Sequence, residues 1–319
     1  MRPPRVRVRG EFRGSRPRTA TGRATSVVIA LGGTIRGSRV PGAGCDPGAV
    51  PVSPALRPYL LACADDLDSA SDKADVHDLR VAARRVRSVL RSCRSLAVGG
   101  DTGTAAELVE RCRELGSNLG GTRDDEVAVE VLRGWADDDG WPATTVGRLL
   151  REIGLPTQRD SNRPVQVPAE LLDGAKALAV SVRALVEDAD AVAESEPGPA
   201  GSDPLQPVVR AERRRVLRRA KRATAPEQWH DVRKAAKRLR YTAEAQRARL
   251  PSGDADDVVS AAKELQTALG DLRDVEELTD RLMQAPPGPL VDRALARAVR
   301  TSASLRQTVD PALDRLRST

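Results

Sequence analysis

The two histidines of the chain occupy equivalent positions in a repeated segment. His77 begins the run HDLRVAARRVR, and His230 begins the run HDVRKAAKRLR 153 residues later. Helical residues are rotated by about 100° each, so residues three and four positions apart lie on one face. Each histidine therefore starts a cationic ridge. The first ridge contains His77, Arg80, Arg84, Arg87 and Arg91, and the second ridge contains His230, Arg233, Lys237 and Arg240.

Cations at this spacing repel each other, which favours a polyanionic ligand that neutralises them. Successive ridge positions lie about 5 Å apart along the helix axis, a spacing that can follow a linear chain of phosphates. Guanidinium groups hold phosphate oxygens by charge-assisted hydrogen bonds. Arg85, Lys234 and Arg238 flank the ridges and extend the candidate set. A run of charged residues usually forms a solvated helix face or pairs with acidic residues of the same protein. The duplication of this run favours the binding interpretation.

A further cationic helix is predicted near residues 207–223. Arg210, Arg214 and Arg218 fall on one side of it, together with Lys221, whereas the counterpart in the first half has one arginine, Arg57, in this pattern. We therefore expect the second half to have the broader basic surface.

Two Arg-Asp pairs follow a glycine inside a helical pattern, at Arg123-Asp124 and Arg273-Asp274. In one interpretation the arginine reaches the anion while the aspartate orients a neighbouring cation. In the other, the pair forms a salt bridge between helices and the glycine permits close packing. The sequence leaves both open, with the aspartate favoured as structural.

The histidines allow three interpretations. A metal pair would need further ligands, and a phosphoacceptor is typically followed by lysine and small residues rather than by arginines. A hydrogen-bond partner at the start of each ridge, where the helix dipole favours anions, is the third and the preferred one. The sequence has no glycine-rich nucleotide loop and no Ser-His-Asp arrangement. We expect no enzymatic activity, no cofactor and no metal site.

The elements that must position these residues are helices. Alanine, leucine and arginine are strong helix formers, and aromatic residues make up 2% of the chain, so the core must be built from small aliphatic side chains. Helices are predicted near 54–70, 72–96, 207–223 and 290–316, and Thr224 with Glu227 predicts a capping box before the second ridge. The segment 197–202 reads as a linker. An all-α protein with two halves of about four helices each follows, at 51–200 and 201–319.

The basic character of the chain is concentrated at its beginning. Residues 1–50 hold ten arginines and two acidic residues, which leaves 42 basic and 43 acidic residues for the remaining chain. The composition of this tail predicts disorder. Cys93 is expected to be a buried thiol, and the spacing of the cysteines argues against zinc. Since no apolar run reaches the length of a membrane span, we expect a cytoplasmic protein.

These motifs resemble the CHAD family, the conserved histidine α-helical domain. The resemblance rests on HDLRVAARRVR at 77–87, HDVRKAAKRLRY at 230–241 and LQTALGDLRD at 265–274, with a weaker copy, LGSNLGGTRD, at 115–124. It extends over about residues 51–319 and implies two four-helix bundles related by a pseudo-twofold axis, with basic surfaces that bind inorganic polyphosphate. Some members carry a triphosphatase domain. This sequence shows no signature of one, so it resembles a stand-alone member.

The leading hypothesis is therefore binding of inorganic polyphosphate by the ridges, reinforced by Arg123 and Arg273, with polyphosphate granules as an expected location. One alternative is nucleic-acid binding, which the low aromatic content disfavours because single strands are usually held by base stacking. The other is a phosphorelay or phosphate-metabolising enzyme that uses His77 and His230. The sequence predicts no membrane partner and leaves the oligomeric state open.

Overall fold

The structure is a computed structural model that describes residues 53–96, 103–119, 123–157, 167–193 and 203–319. Within these ranges the chain forms helices and no strand, which confirms the all-α prediction. The predicted disordered tail at 1–50 lies outside the described residues. The α-helices are α1 (Arg57–Asp72), α2 (Val76–Ser92), α3 (Gly103–Asn118), α4 (Arg123–Asp138), α5 (Ala143–Glu152), α6 (Ala169–Ala193), α7 (Leu205–Ala220), α8 (Pro226–Arg249), α9 (Gly253–Gln284) and α10 (Pro289–Ser318). Short 3-10 turns at Pro54–Leu56 and Arg94–Leu96 flank the first two helices.

The two ridge helices begin with different capping interactions. Asp75 caps α2 because its carboxylate accepts a hydrogen bond from the backbone N–H of Asp78 at 3.0 Å, as preferred N-cap residues do. At α8 the prediction of a capping box formed by Thr224 and Glu227 is wrong, because a different side chain makes the capping hydrogen bonds. The Gln228 side chain, rather than Glu227, reaches back and accepts from the N–H groups of Thr224 and Ala225 at 2.6 and 3.2 Å. Gln228 takes this role because the helix begins at Pro226, after Ala225, which places Gln228 at the third helical position.

Three buried clusters hold the helices together. The first lies among α1, α2, α3 and α6 and includes Leu60 and Leu79, both fully buried. The second lies among α7, α8, α9 and the end of α10. The third joins α4 and α5 to the second half of α9 and the first half of α10. The sequence-based division into two four-helix halves did not foresee this third cluster, and the pseudo-twofold relation stays a prediction.

Helix α8 connects the first two clusters. Residues such as Val232 and Ala243 pack in the second cluster, whereas Tyr241 and Ala245, on another face of the same helix, pack in the first cluster. The two ridge helices, α2 and α8, consequently contact each other. Both ridges are therefore held near the junction of the two main clusters.

Buried cysteines complete the first cluster. Cys63, Cys93 and Cys112 are free, buried thiols, and burial raises the pKa of each to about 12. The expectation of a buried thiol at Cys93 is confirmed. These cysteines act as small apolar residues, because a thiol that stays protonated is a poor nucleophile.

Candidate functional site

The first ridge lines a cleft between α2 and α3. We call it the α2–α3 cleft; its volume is about 300 Å³, and its lining residues are Arg80, Arg84, Arg87, Cys112, Arg113, Gly116 and Ser117. The predicted ridge residues Arg80, Arg84 and Arg87 are thus brought together, and α3 contributes a further arginine. Arg113 was missed by the sequence analysis, although the 150-residue offset between the LG motifs puts Lys263 at the equivalent position.

The arginines of this cleft are held close to one another. Burial lowers the pKa of Arg87, and the charges of Arg91, Arg84 and Arg113 lower it further. Arg80 donates a hydrogen bond from Nη1 to the backbone oxygen of Leu119 at 3.4 Å, just beyond the end of α3. In the described part of the chain, Arg84, Arg87 and Arg91 form no ion pair. Arg113 pairs with the exposed Glu110, and the hydrogen bond from Arg113 and the charge of Arg87 both lower the pKa of Glu110. The cleft therefore concentrates positive charge that a bound anion would stabilise.

The second ridge has a different environment, because carboxylates of α9 face it. The guanidinium of Arg233 packs over Gly270, where an added Cβ would lie 3.1 Å from Nη2. Burial raises the pKa values of Asp271 and Asp274, and the charge of Arg233 opposes both shifts. The charge of Lys237 also opposes the rise in the pKa of Asp274. The glycine of the LGxxRD motif thus makes room for a ridge arginine.

Two predicted binding residues take part in a buried polar network instead. Arg240 donates from Nε to Glu244 at 2.7 Å, and Arg85 Nη1 pairs with Asp66 at 2.9 Å while its Nε lies 3.9 Å from Glu244. The Tyr59 hydroxyl donates to the same carboxylate at 3.1 Å. Burial alone would lower the pKa of Arg85, but Tyr59 and Glu244 raise it overall. This network connects α1 and α2 to α8.

The remaining predicted residues are distributed around these features. Lys234 pairs with Asp231 at 2.6 Å, and Arg273 pairs with Glu277 at 2.7 Å. Arg123 is the first residue of α4, and its side chain lies outside the described part of the structure. On α7, Arg210 lines a small pocket of about 150 Å³ beside Asp254. Arg214 is exposed.

The two histidines are not equivalent in structure. His77 is an exposed second residue of α2, whereas His230 is the fifth residue of α8 and is partly buried. Burial lowers the pKa of His230, and the charges of Lys234, Arg273 and Arg233 lower it further against the opposing charge of Asp231. The Nδ1 atom of His230 is buried and has no hydrogen-bond partner among the described residues.

A third basic feature lies between the end of α7 and the start of α8. We call it the α7–α8 cleft; its volume is about 330 Å³, and it is lined by Arg215, Arg218, Arg219, Arg222, Gln228 and Asp231. Only Arg218 belongs to the predicted set. Arg215 and Arg219 follow the same helical periodicity on a neighbouring stripe of α7, and Arg222 follows in the turn after the helix; this periodicity was the available signal. The burial of Val209 and Val216 decides which stripe faces α8.

Comparisons with known proteins agree with the resemblance seen in the motifs. The CHAD domain profile matches residues 57–283. Two Mycobacterium tuberculosis proteins, Uncharacterized protein MT2285 and Uncharacterized protein Rv2226, are each 32% identical over 235 residues, covering 66% of this chain and 40% of theirs. The chain thus corresponds to less than half of the length of these relatives.

Among solved structures, PptA from Streptomyces chartreusis has a similar fold. The TM-score is 0.51 at 19% sequence identity, and the match covers 84% of this chain and 98% of that chain. This likeness concerns the fold alone. Since the domain profile extends over well more than half of the sequence, the protein belongs to the CHAD family.

Proposed function

We propose that this protein binds inorganic polyphosphate and that the α2–α3 cleft is the principal site. The observation that carries the proposal is the unpaired state of Arg84 and Arg87, described above, in a cleft that Arg80 and Arg113 also line. Partly buried charged groups that lack a direct ion pair are costly, and the exposed Glu110 acts on Arg87 only through its charge. A phosphate chain would supply the missing negative charge through charge-assisted hydrogen bonds.

A linear phosphate polymer fits the cleft better than a nucleic acid. The arginines of α2 follow the helix axis at intervals of about 5 Å, and none of the described residues that line the cleft is aromatic. Single-stranded nucleic acids are generally held by stacking of bases on aromatic side chains in addition to phosphate contacts. The cleft offers phosphate contacts without a stacking surface.

The second ridge has a supporting role in this proposal. The charges of Arg233 and Lys237 act on α9 carboxylates, and Arg273 and Lys234 have carboxylate partners. Binding there requires the ligand to compete with these acids. We therefore propose that the two halves bind polyphosphate unequally and that the first ridge binds it more strongly. The number of basic residues had predicted the reverse.

We propose that the protein binds polyphosphate without catalysing a reaction on it, and that it does so in the cytoplasm and at polyphosphate granules. No α-helix within the described residues is long and apolar enough to cross a membrane. Incubation of the purified protein with polyphosphate, followed by measurement of released phosphate, tests the absence of hydrolysis. Time-dependent release above the level of a protein-free control would contradict it.

The binding test compares Arg84→Gln/Arg87→Gln with a matched control, Arg148→Gln/Arg151→Gln, which removes the same charge from exposed positions of α5. Because a hydrogen bond to a charged group contributes roughly 1.5–3 kcal/mol, we expect the first pair to weaken binding of long-chain polyphosphate by at least about tenfold. The control should remain within about twofold of the wild type. Equal effects of the two pairs, or stronger binding of RNA at the same charge concentration, would refute the proposal.

A further inference from the structure

The α7–α8 cleft has the properties of an anion site that the ridge motif does not include. Its four arginines lie at positions 215, 218, 219 and 222, on the last turns of α7 and in the turn that follows it. Arg218 and Arg222 are exposed. Arg219 donates from Nη1 to the backbone oxygen of Asp231 at 3.1 Å, which fixes α7 against the first turns of α8.

A buried carboxylate lies beside this cleft. Glu212 is 3% exposed; one of its oxygens accepts a hydrogen bond from Arg215 Nη1 at 2.6 Å. The other oxygen, Oε2, is buried and has no hydrogen-bond partner among the described residues. Native proteins seldom leave a buried carboxylate oxygen unsatisfied. Glu212 thus serves as an incomplete internal counter-ion for a group of arginines.

The same group of arginines reaches the first ridge. Burial lowers the pKa of Arg238 on α8, and repulsion from Arg215, Arg219 and Arg91 lowers it further, whereas Glu212 opposes the shift. Arg91, at the end of α2, in turn acts on Arg87 in the α2–α3 cleft. The charges of Arg91 and Arg238 therefore interact with arginines of both clefts.

We propose that the α7–α8 cleft is a second phosphate-binding site, separate from the α2–α3 cleft, whose affinity is limited by the carboxylate of Glu212. It binds a short inorganic polyphosphate by itself and a distant segment of a long chain that already occupies the first cleft. This inference rests on the proposed function. A single chain that occupies both clefts gains affinity because its second contact is intramolecular.

Calorimetric titration with inorganic tripolyphosphate tests the separate site. We expect the wild-type protein to bind two molecules per chain and Arg218→Gln/Arg222→Gln to bind one. The α5 control, Arg148→Gln/Arg151→Gln, should still bind two. For long-chain polyphosphate, Arg218→Gln/Arg222→Gln should lose at least about tenfold in affinity, because the gain from linked sites disappears. An unchanged stoichiometry together with an affinity equal to that of the control would overturn the inference.

Substitution of Glu212, the internal counter-ion, should strengthen phosphate binding, whereas the arginine substitutions should weaken it. Glu212→Gln removes the negative charge and keeps a hydrogen-bond acceptor for Arg215. We expect at least about threefold tighter binding of tripolyphosphate to the weaker of the two sites, because like charges at a binding surface oppose association. A merely structural role predicts loss of affinity instead. Unchanged or weaker binding in a variant with wild-type helicity would overturn the assignment of Glu212.

The outcomes separate this inference from the proposed function. If the wild type binds neither long polyphosphate nor tripolyphosphate, the proposed function itself fails. If the wild type binds both and the α2 pair alone weakens binding, the principal site stands and the second site is refuted.

Discussion

At the scale of single residues, equivalent sequence positions have acquired different roles. Arg87 of the first ridge lines a cleft, whereas Arg240, its counterpart at the 153-residue offset, is paired with the buried Glu244. Likewise, His77 is exposed, and His230 is partly buried among cations. The sequence identified which residues belong to the ridges. The Arg240–Glu244 pair is an i,i+4 contact within α8 and could have been predicted from the spacing, whereas the α9 carboxylates that act on Arg233 are recognised only after the helices pack.

The environment of His230 predicts that the affinity for polyphosphate depends on pH. In the free protein, burial and neighbouring cations lower its pKa from the ordinary value of 6.5, so it is neutral near pH 7. A bound polyanion raises this pKa, and binding then takes up a proton between the free and bound values. Affinity for polyphosphate should rise as the pH falls through that window, and the gain should be complete below the free-state pKa.

The measurement is the ratio of dissociation constants at pH 7.5 and pH 5.5 for the wild type and for His230→Gln. We expect the ratio to be roughly two- to tenfold larger for the wild type, since one pKa unit corresponds to a factor of about ten. The comparison cancels any titration of the terminal phosphates. Identical ratios would show that His230 does not sense the ligand.

At the scale of elements, the two copies of the LGxxRD segment differ in continuity. Helix α9 runs unbroken through Gly270, whereas α3 ends at Asn118 and α4 begins at Arg123. Two adjacent glycines, Gly120 and Gly121, stand in the weaker copy, and glycine is a poor helix former. The departure from the motif was visible in the sequence. Its consequence, a separate α4 that packs against α9, depends on tertiary contacts.

A substitution in α3 should separate stability from binding. Gly116 lines the α2–α3 cleft, and an added Cβ would have no atom within 4 Å. At the equivalent position of α9, Gln266 accepts a hydrogen bond from Arg240 at 3.5 Å. Gly116→Gln should therefore fill the cleft and weaken polyphosphate binding at least about threefold, while the better helix propensity raises the free energy of unfolding by about 0.5 kcal/mol.

Gly134→Gln is the matched control, because Gly134 lies in α4, is exposed and has equally open space around its Cβ position. The control should gain similar stability in urea unfolding and keep wild-type affinity. If Gly116→Gln binds polyphosphate as well as Gly134→Gln does, the α2–α3 cleft is not the principal site.

At the scale of the whole molecule, the shared helix α8 couples the first two clusters. Its Tyr241 and Ala245 pack in the first cluster, whereas Leu239 and Ala243 pack in the second. Helices α9 and α10 extend the second cluster into the third. Unfolding of one cluster would expose apolar surface on helices that the next cluster needs. We therefore expect one cooperative transition for the described domain.

The distribution of tryptophan makes this expectation measurable. Trp135 and Trp141 lie in the third cluster, Trp229 packs against the second, and the chain has no other tryptophan. Leu60→Ala creates a cavity in the first cluster, at an expected cost of about 2–5 kcal/mol. The fluorescence and helical circular-dichroism transitions should shift together to lower urea concentration. A fluorescence midpoint that stays at its wild-type value would show that the clusters unfold independently.

The sequence by itself determined the all-α class, the two ridges and the family, because helical periodicity and repeated motifs are properties of neighbouring residues. Tertiary structure decided which of the described ridge arginines lie in a cleft without forming an ion pair and which stripe of α7 faces α8. Arg113, Arg219 and Glu212 acquire their roles through contacts or charges contributed by other helices or other turns. Charge segregation on a nearly neutral body is a result of packing, and composition does not encode it.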